Sequence, residues 1–192
     1  MSDNFLALID PMATESDAQE RAIRVRERLV AAGLVYPELS GDCALGGAAH
    51  PPGPRLREMY APRAGEPQVA ESRTGGVEIL AERWVNQLAF PVLEAATCPE
   101  CGASFVEELF EPLGQAMLMF LDSAAIDAVE CPSCSAAVPA TNWTIRPHLG
   151  FCHLAVVFWN WPPFESPGWR DSVPDLVAEA LGNRVIRSYG RL

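Results

Sequence analysis

The chain of 192 residues contains no lysine. Apart from three histidines its cations are 14 arginines, set against 25 acids, and the net charge is −11. Proteins that grip a phosphate backbone do so with clustered cations, so this composition argues against direct nucleic-acid binding. Long hydrophobic runs are missing as well. The longest, Phe151–Trp161, spans eleven residues, where a bilayer crossing needs roughly 18–20; no membrane association is expected. The start, Met1-Ser2-Asp3-Asn4, lacks a basic region, and Asp10 interrupts the short apolar run Phe5–Ile9. That is not a secretion signal. A cytoplasmic location is expected, and arginine without lysine beside 27 alanines suggests a GC-rich, bacterial coding bias. Catalytic signatures are missing too: Gly41–Gly47 lacks the Lys and hydroxyl of a phosphate loop, and no G-x-S-x-G or H-E-x-x-H occurs.

What remains is a chain that is 49% apolar by composition, enough for a real core in a single domain, 1–192. Residues 1–14 read as a loosely docked terminus. Ser16-Asp17-Ala18-Gln19 has the form of a capping box, opening a helix to about Ala32. Gly33 fits the left-handed position past its end. Leu34-Val35-Tyr36 reads as a short strand, and residues 37–76, broken by glycine and proline, as a long loop. In 77–90 the apolar positions Val77, Leu80, Ala81, Trp84, Val85 and Leu88 follow a helical period, although Gly75-Gly76 before and Phe90-Pro91 after leave two short strands open. Phe151–Trp161 reads as a central strand covered on both faces. Ser172-Val173-Pro174-Asp175 starts a last helix that Gly182 stops, and Arg184–Tyr189 closes the chain as a strand. The expected class is α+β: a small sheet of 34–36, 151–161 and 184–189 packed by the first and last helices.

Cys98-Pro99-Glu100-Cys101-Gly102 and Cys131-Pro132-Ser133-Cys134-Ser135 carry the chemistry. In a chain read as cytoplasmic, two C-x-x-C pairs are metal ligands rather than disulfides. Proline after the first Cys fixes a tight turn, and a small residue after the second lets the backbone curl round the sulfurs. Four sulfurs make the tetrahedral shell of a structural zinc, one per chain, with no position left for water or substrate. Iron is the lesser alternative, since rubredoxin-like sites use similar knuckles. The segment resembles a zinc ribbon over about residues 90–142, and that resemblance implies an inserted ribbon with hairpin strands at Phe105–Phe110 and Ala124–Val129 and a turn or helix at Pro112–Leu121. Ser135 departs from the glycine usual in the second knuckle. Zinc ribbons often touch nucleic acid, but between Trp84 and Ile145 there is no basic residue and there are eight acids.

Outside the knuckles the signals are weaker. Arg21, Arg24, Arg26 and Arg28 read as a solvated face balanced by Glu20 and Glu27. Phe158, Trp159, Trp161, Phe164 and Trp169, with Pro162, Pro163 and Pro167, read either as anchors on a protein-binding groove or as a cap on the core. Cys43, His50, His148, Cys152 and His153 are the candidates for a second metal site or a Cys–His pair. The function expected is an acidic protein-interaction module, with an immunity- or antitoxin-like inhibitor of a basic partner as one concrete form. The alternative is an enzyme or accessory subunit that modifies a peptide or small ligand, using the 37–76 loop and the Trp159/Trp161 region.

Overall fold

Phe5 to Ile9 is a run of five apolar residues, and every one is buried. A strand with that pattern needs cover on both faces and neighbours on both edges. In the computed structural model, which describes residues 4–43, 47–62, 75–86, 93–122 and 128–191, it has the neighbours. β1 (Asn4–Ile9) lies inside a four-stranded antiparallel sheet of order β2-β8-β1-β9, with β2 Gly76–Leu80, β8 Ala155–Trp159 and β9 Ile186–Arg191. Leu6 sits opposite Phe158 on one side and Tyr189 on the other. The loose terminus expected over residues 1–14 is therefore replaced by an inner strand, because two apolar strands from the far end of the chain pair with it.

Leu6, Leu8, Val77, Val156 and Phe158 point to one face of this sheet and join a core with the helices. α1 (Ala18–Ala31) contributes Ala18, Ala22, Val25 and Leu29, a stripe at helical spacing. Its expected Ser16 cap does not form. The helix begins at Ala18 after Asp17, which makes no side-chain cap; the Asp17 carboxylate instead accepts from the Thr14 backbone N–H at 2.7 Å and from Arg21 Nε at 2.7 Å. Gly33 takes φ +70° as expected. Leu34–Tyr36 is not a strand; Val35 only bridges Pro52. α2 (Leu56–Met59) follows, within the segment expected as loop, and buries Leu56 and Met59. α4 (Val173–Leu181) starts where Ser172 Oγ accepts from the Asp175 N–H at 3.3 Å and stops at Gly182, φ +70°. Asp10, fully buried, ties these pieces together: it accepts from the Met12 N–H, from Arg21 at 3.0 Å and from Asn183 Nδ2 at 2.7 Å.

The helix expected over 77–90 is overturned in its first half. Val77 faces the core, Glu78 is half-exposed and Ile79 packs inward, a two-residue alternation too short to outweigh the helical period by eye. Residues 87–92 lie outside those described.

The chain divides into two compact units, Met1–Glu82 with Cys152–Leu192, and Arg83–Phe151. The second unit holds β3 (Ala95–Thr97), β4 (Ser104–Phe105), α3 (Glu107–Leu121), β5 (Ala128–Glu130), β6 (Ala137–Pro139) and β7 (Thr144–Arg146). These make a three-stranded sheet of order β4-β3-β7 and a separate hairpin β5-β6. The strand expected over 105–110 is cut short at Phe105 by α3, which buries Leu109, Leu113, Ala116, Met117 and Phe120. Of the strand expected over 124–129, residues 123–127 lie outside the described set, and β5 begins at Ala128. With four α-helices and antiparallel strand pairing among the described residues, the fold is α+β. No described helix is long and apolar enough to cross a membrane.

Candidate metal centre

Each C-x-x-C pair sits at the turn of a hairpin. β3 delivers Cys98 and β4 begins just after Gly102, with Thr97 paired to Ser104. β5 delivers Cys131 and β6 begins after Ala136, with Glu130 paired to Ala137. The two turns share one backbone pattern. Gly102 N–H donates to the Cys98 carbonyl and Ser135 N–H to the Cys131 carbonyl, both at 2.9 Å. Cys98 N–H donates to the Ala103 carbonyl and Cys131 N–H to the Ala136 carbonyl, again at 2.9 Å. The fifth residue is left-handed in both, φ +73° at Gly102 and +56° at Ser135. Ser135 thus does what the glycine does, against the steric preference of a residue with a Cβ.

The two turns bring all four sulfurs within 4.8 Å of one another. Cys101 Sγ and Cys131 Sγ are 3.7 Å apart, Cys98 Sγ and Cys134 Sγ 4.0 Å. A disulfide would need about 2.05 Å. A tetrahedron of sulfurs about 2.3 Å from a central ion has edges of about 3.8 Å, close to these two separations. Cys98 and Cys131 are buried, Cys101 and Cys134 exposed. The site is therefore held from the core side by one cysteine of each turn.

The sulfurs cannot all ionise unaided. Burial pushes the Cys131 thiol up, but the backbone N–H groups of Cys134 and Ser133 outweigh it and bring it down to about 7. At Cys134 the Ala136 N–H favours the thiolate, yet burial and the neighbouring sulfurs prevail and push it up to about 12. One thiolate keeps the next protonated. With no basic residue between Trp84 and Ile145, a metal cation is a counter-charge that this donor set could hold. Among the described residues, these four cysteines are the one group of three or more His, Cys, Asp or Glu side chains able to hold a metal ion.

The other sequence candidates do not form a second cluster of that kind. Cys43 and Cys152 are buried; burial raises both thiols, Cys152 to about 12. His50 is buried, with Nδ1 3.0 Å from the Tyr36 carbonyl. His148 is exposed and His153 half-buried. Four of the five aromatics, Phe158, Trp161, Phe164 and Trp169, gather on the core, while Trp159 packs apart from them against Cys43 and Ala49. Phe158 is fully buried and Trp161 nearly so. Phe158 packs edge-on to Trp161 and Phe164, and Trp161 stacks on Trp169 at 5.8 Å between centroids. Trp159 is half-buried and donates to Glu78 at 2.7 Å. Of the two readings of this region, burial agrees with the cap on the core for Phe158 and Trp161.

Two features escaped the sequence reading. The left-handed Ser135 was visible only as a departure from glycine. Glu78, half-buried where it accepts from the Trp159 indole, was hidden by the helical period assigned to its segment. The signal for it was the alternation Val77, Glu78, Ile79. No family model, no curated protein and no solved structure matches this chain.

Proposed function

We propose that the 83–151 unit is folded around one structural zinc ion held by Cys98, Cys101, Cys131 and Cys134, and that the protein acts by binding another protein. The observation that carries the metal is the gathering of four thiols within 4.8 Å of one another, two of the pairs at 3.7 and 4.0 Å. Four protein ligands fill the shell of such an ion and leave no open position, which favours a structural over a catalytic role. When bound, zinc supplies a cross-link between the two hairpin turns and the charge that keeps four thiolates together. Its expected work is to stabilise a unit whose strands are only two or three residues long.

The partner reading rests on charge. A net −11, with a cation-free stretch around the metal, favours a basic protein over a nucleic acid, because complementary charge speeds encounter and opposes wrong partners. An immunity- or antitoxin-like inhibitor working in the cytoplasm is the concrete form proposed. Elemental analysis with native mass spectrometry tests both parts on protein purified from its own host. One zinc per chain and a stoichiometric basic partner are expected. Iron in its place would overturn the metal assignment, and no co-purifying partner would overturn the interaction reading.

A further inference from the structure

Pro112–Leu121, most of α3, carries no charge and a single polar side chain, Gln115. A surface helix normally keeps a polar face for water, and a helix apolar on nearly every side needs cover on more than one. The 83–151 unit covers one side, burying Leu109, Leu113, Ala116, Met117 and Phe120. Phe110 and Leu118 stay exposed at 43% and 54%, and Val106, just before the helix, at 39%. These are three of the eight large apolar side chains exposed among the described residues, and they are not scattered. With Gly114 they follow one another at steps of four, which on a helix makes a single row. Gly114 is half-buried. One turn from Phe110 and one from Leu118, it leaves a gap in the ridge, the shape that takes a side chain of a facing helix.

The charge beside this row has one sign. Glu107 and Glu111 form the neighbouring row on its solvent side, and Asp122 stands at its far end; all three are exposed. No cation occurs between Trp84 and Ile145 to offset them. That border selects among occupants. A nucleic acid is repelled. A second copy meeting the first through α3 would bring the same acids and no cation from this stretch, so like charges would face each other. An amphipathic helix whose apolar stripe is edged with lysine or arginine matches both the ridge and its border.

We propose that the exposed row of α3 docks a basic amphipathic helix of a partner protein, which seats a leucine-sized side chain at Gly114 between Phe110 and Leu118 and sets its cations against Glu107 and Glu111. Docking of an amphipathic helix by its apolar face is a common mode of recognition, read as anchors at helical spacing. The inference rests on the reading of the chain as an interaction module and names the surface and the partner's chemistry. Co-purification tests whether a partner exists, and the titration below tests where and in what form it docks, so a failure here leaves the zinc and the partner standing.

The test is an NMR titration of the full metal-loaded chain, labelled with ¹⁵N, with three probes. The first is acetyl-(Lys-Leu-Ala-Ala-Leu-Lys-Ala)₂-amide, a helix with one leucine stripe edged by lysines. The second has Glu for Lys, and the third has the first one's composition with its leucines spread round the helix. The first peptide is expected to move the amides of residues 106–121 and to bind about tenfold more tightly than either of the others. Leu118→Ser should weaken it about tenfold by removing an anchor. Glu107→Gln with Glu111→Gln should erase the preference for Lys over Glu. These side chains are exposed, so the variants should keep the fold, and unchanged amide spectra away from α3 check that. No shift confined to 106–121 up to about 1 mM peptide, equal binding of the three peptides, or unchanged affinity in Leu118→Ser would overturn the proposal. Sedimentation of the free chain is the last arm: a dimer that Leu118→Ser dissolves would mean that a second copy covers the row, and the basic helix is wrong.

Discussion

At the scale of single residues, Ser135 and Asp17 make opposite kinds of adjustment. Ser135 holds a left-handed backbone that costs a residue with a Cβ about 1 kcal/mol or more. Ser135→Gly is expected to stabilise the metal-loaded protein, by about 1 kcal/mol less the extra freedom glycine gives the unfolded chain; Gly102→Ala should destabilise it, since φ there is +73°. Urea midpoints of the two variants check both signs. Asp17 is held down to about 2, first by the Thr14 backbone N–H and then by Arg21. Its folded value lies below the unfolded one of about 3.9. The stability it adds is therefore complete above pH 4 and lost as pH falls through 4 towards 2. The midpoint difference between the protein and Asp17→Asn should shrink over that window. A difference that stayed constant would mean that the carboxylate charge is immaterial.

At the scale of elements, legibility followed the length of the pattern. The cluster of four cysteines could be read because two knuckles of one spacing repeat the same chemistry, and the last helix because Ser172, Pro174 and Gly182 mark its ends locally. β1 could not, because nothing near it announces its partners: β8 and β9 lie some 150 and 180 positions away. β2 was misread because five residues of alternation sit inside a longer stretch with a helical period. Placing β1 inside the sheet has a direct consequence. Leu8, 1% exposed, is a core residue rather than part of a tail, and Leu8→Ala should cost about 2–5 kcal/mol. A docked but dispensable terminus would lose far less in thermal or chemical unfolding. Gly53 marks another close approach, since a Cβ there would meet the Gly33 carbonyl and the Val35 nitrogen. With the backbone of residues 33–35 in the way, Gly53→Ala should cost about 1–3 kcal/mol by overpacking, which the same unfolding curves would show.

At the scale of the whole molecule, metal and sheet answer to different perturbations. Removing the ion with a chelator is expected to leave the Arg83–Phe151 unit without its cross-link, so amide protons around β3 and β5 should exchange much faster in hydrogen–deuterium measurements. Unchanged protection would mean that the small hairpins and α3 suffice alone. The sheet poses a problem of timing rather than of cross-linking. β1 leaves the ribosome some 150 and 180 residues ahead of the strands that flank it, β8 and β9. At about 5–20 residues per second, Phe5–Ile9 waits on the order of 10–30 s with its apolar side chains and both edges open. A nascent chain of this kind is a natural client for ribosome-associated holding chaperones, and its yield should depend on them more than its size would suggest.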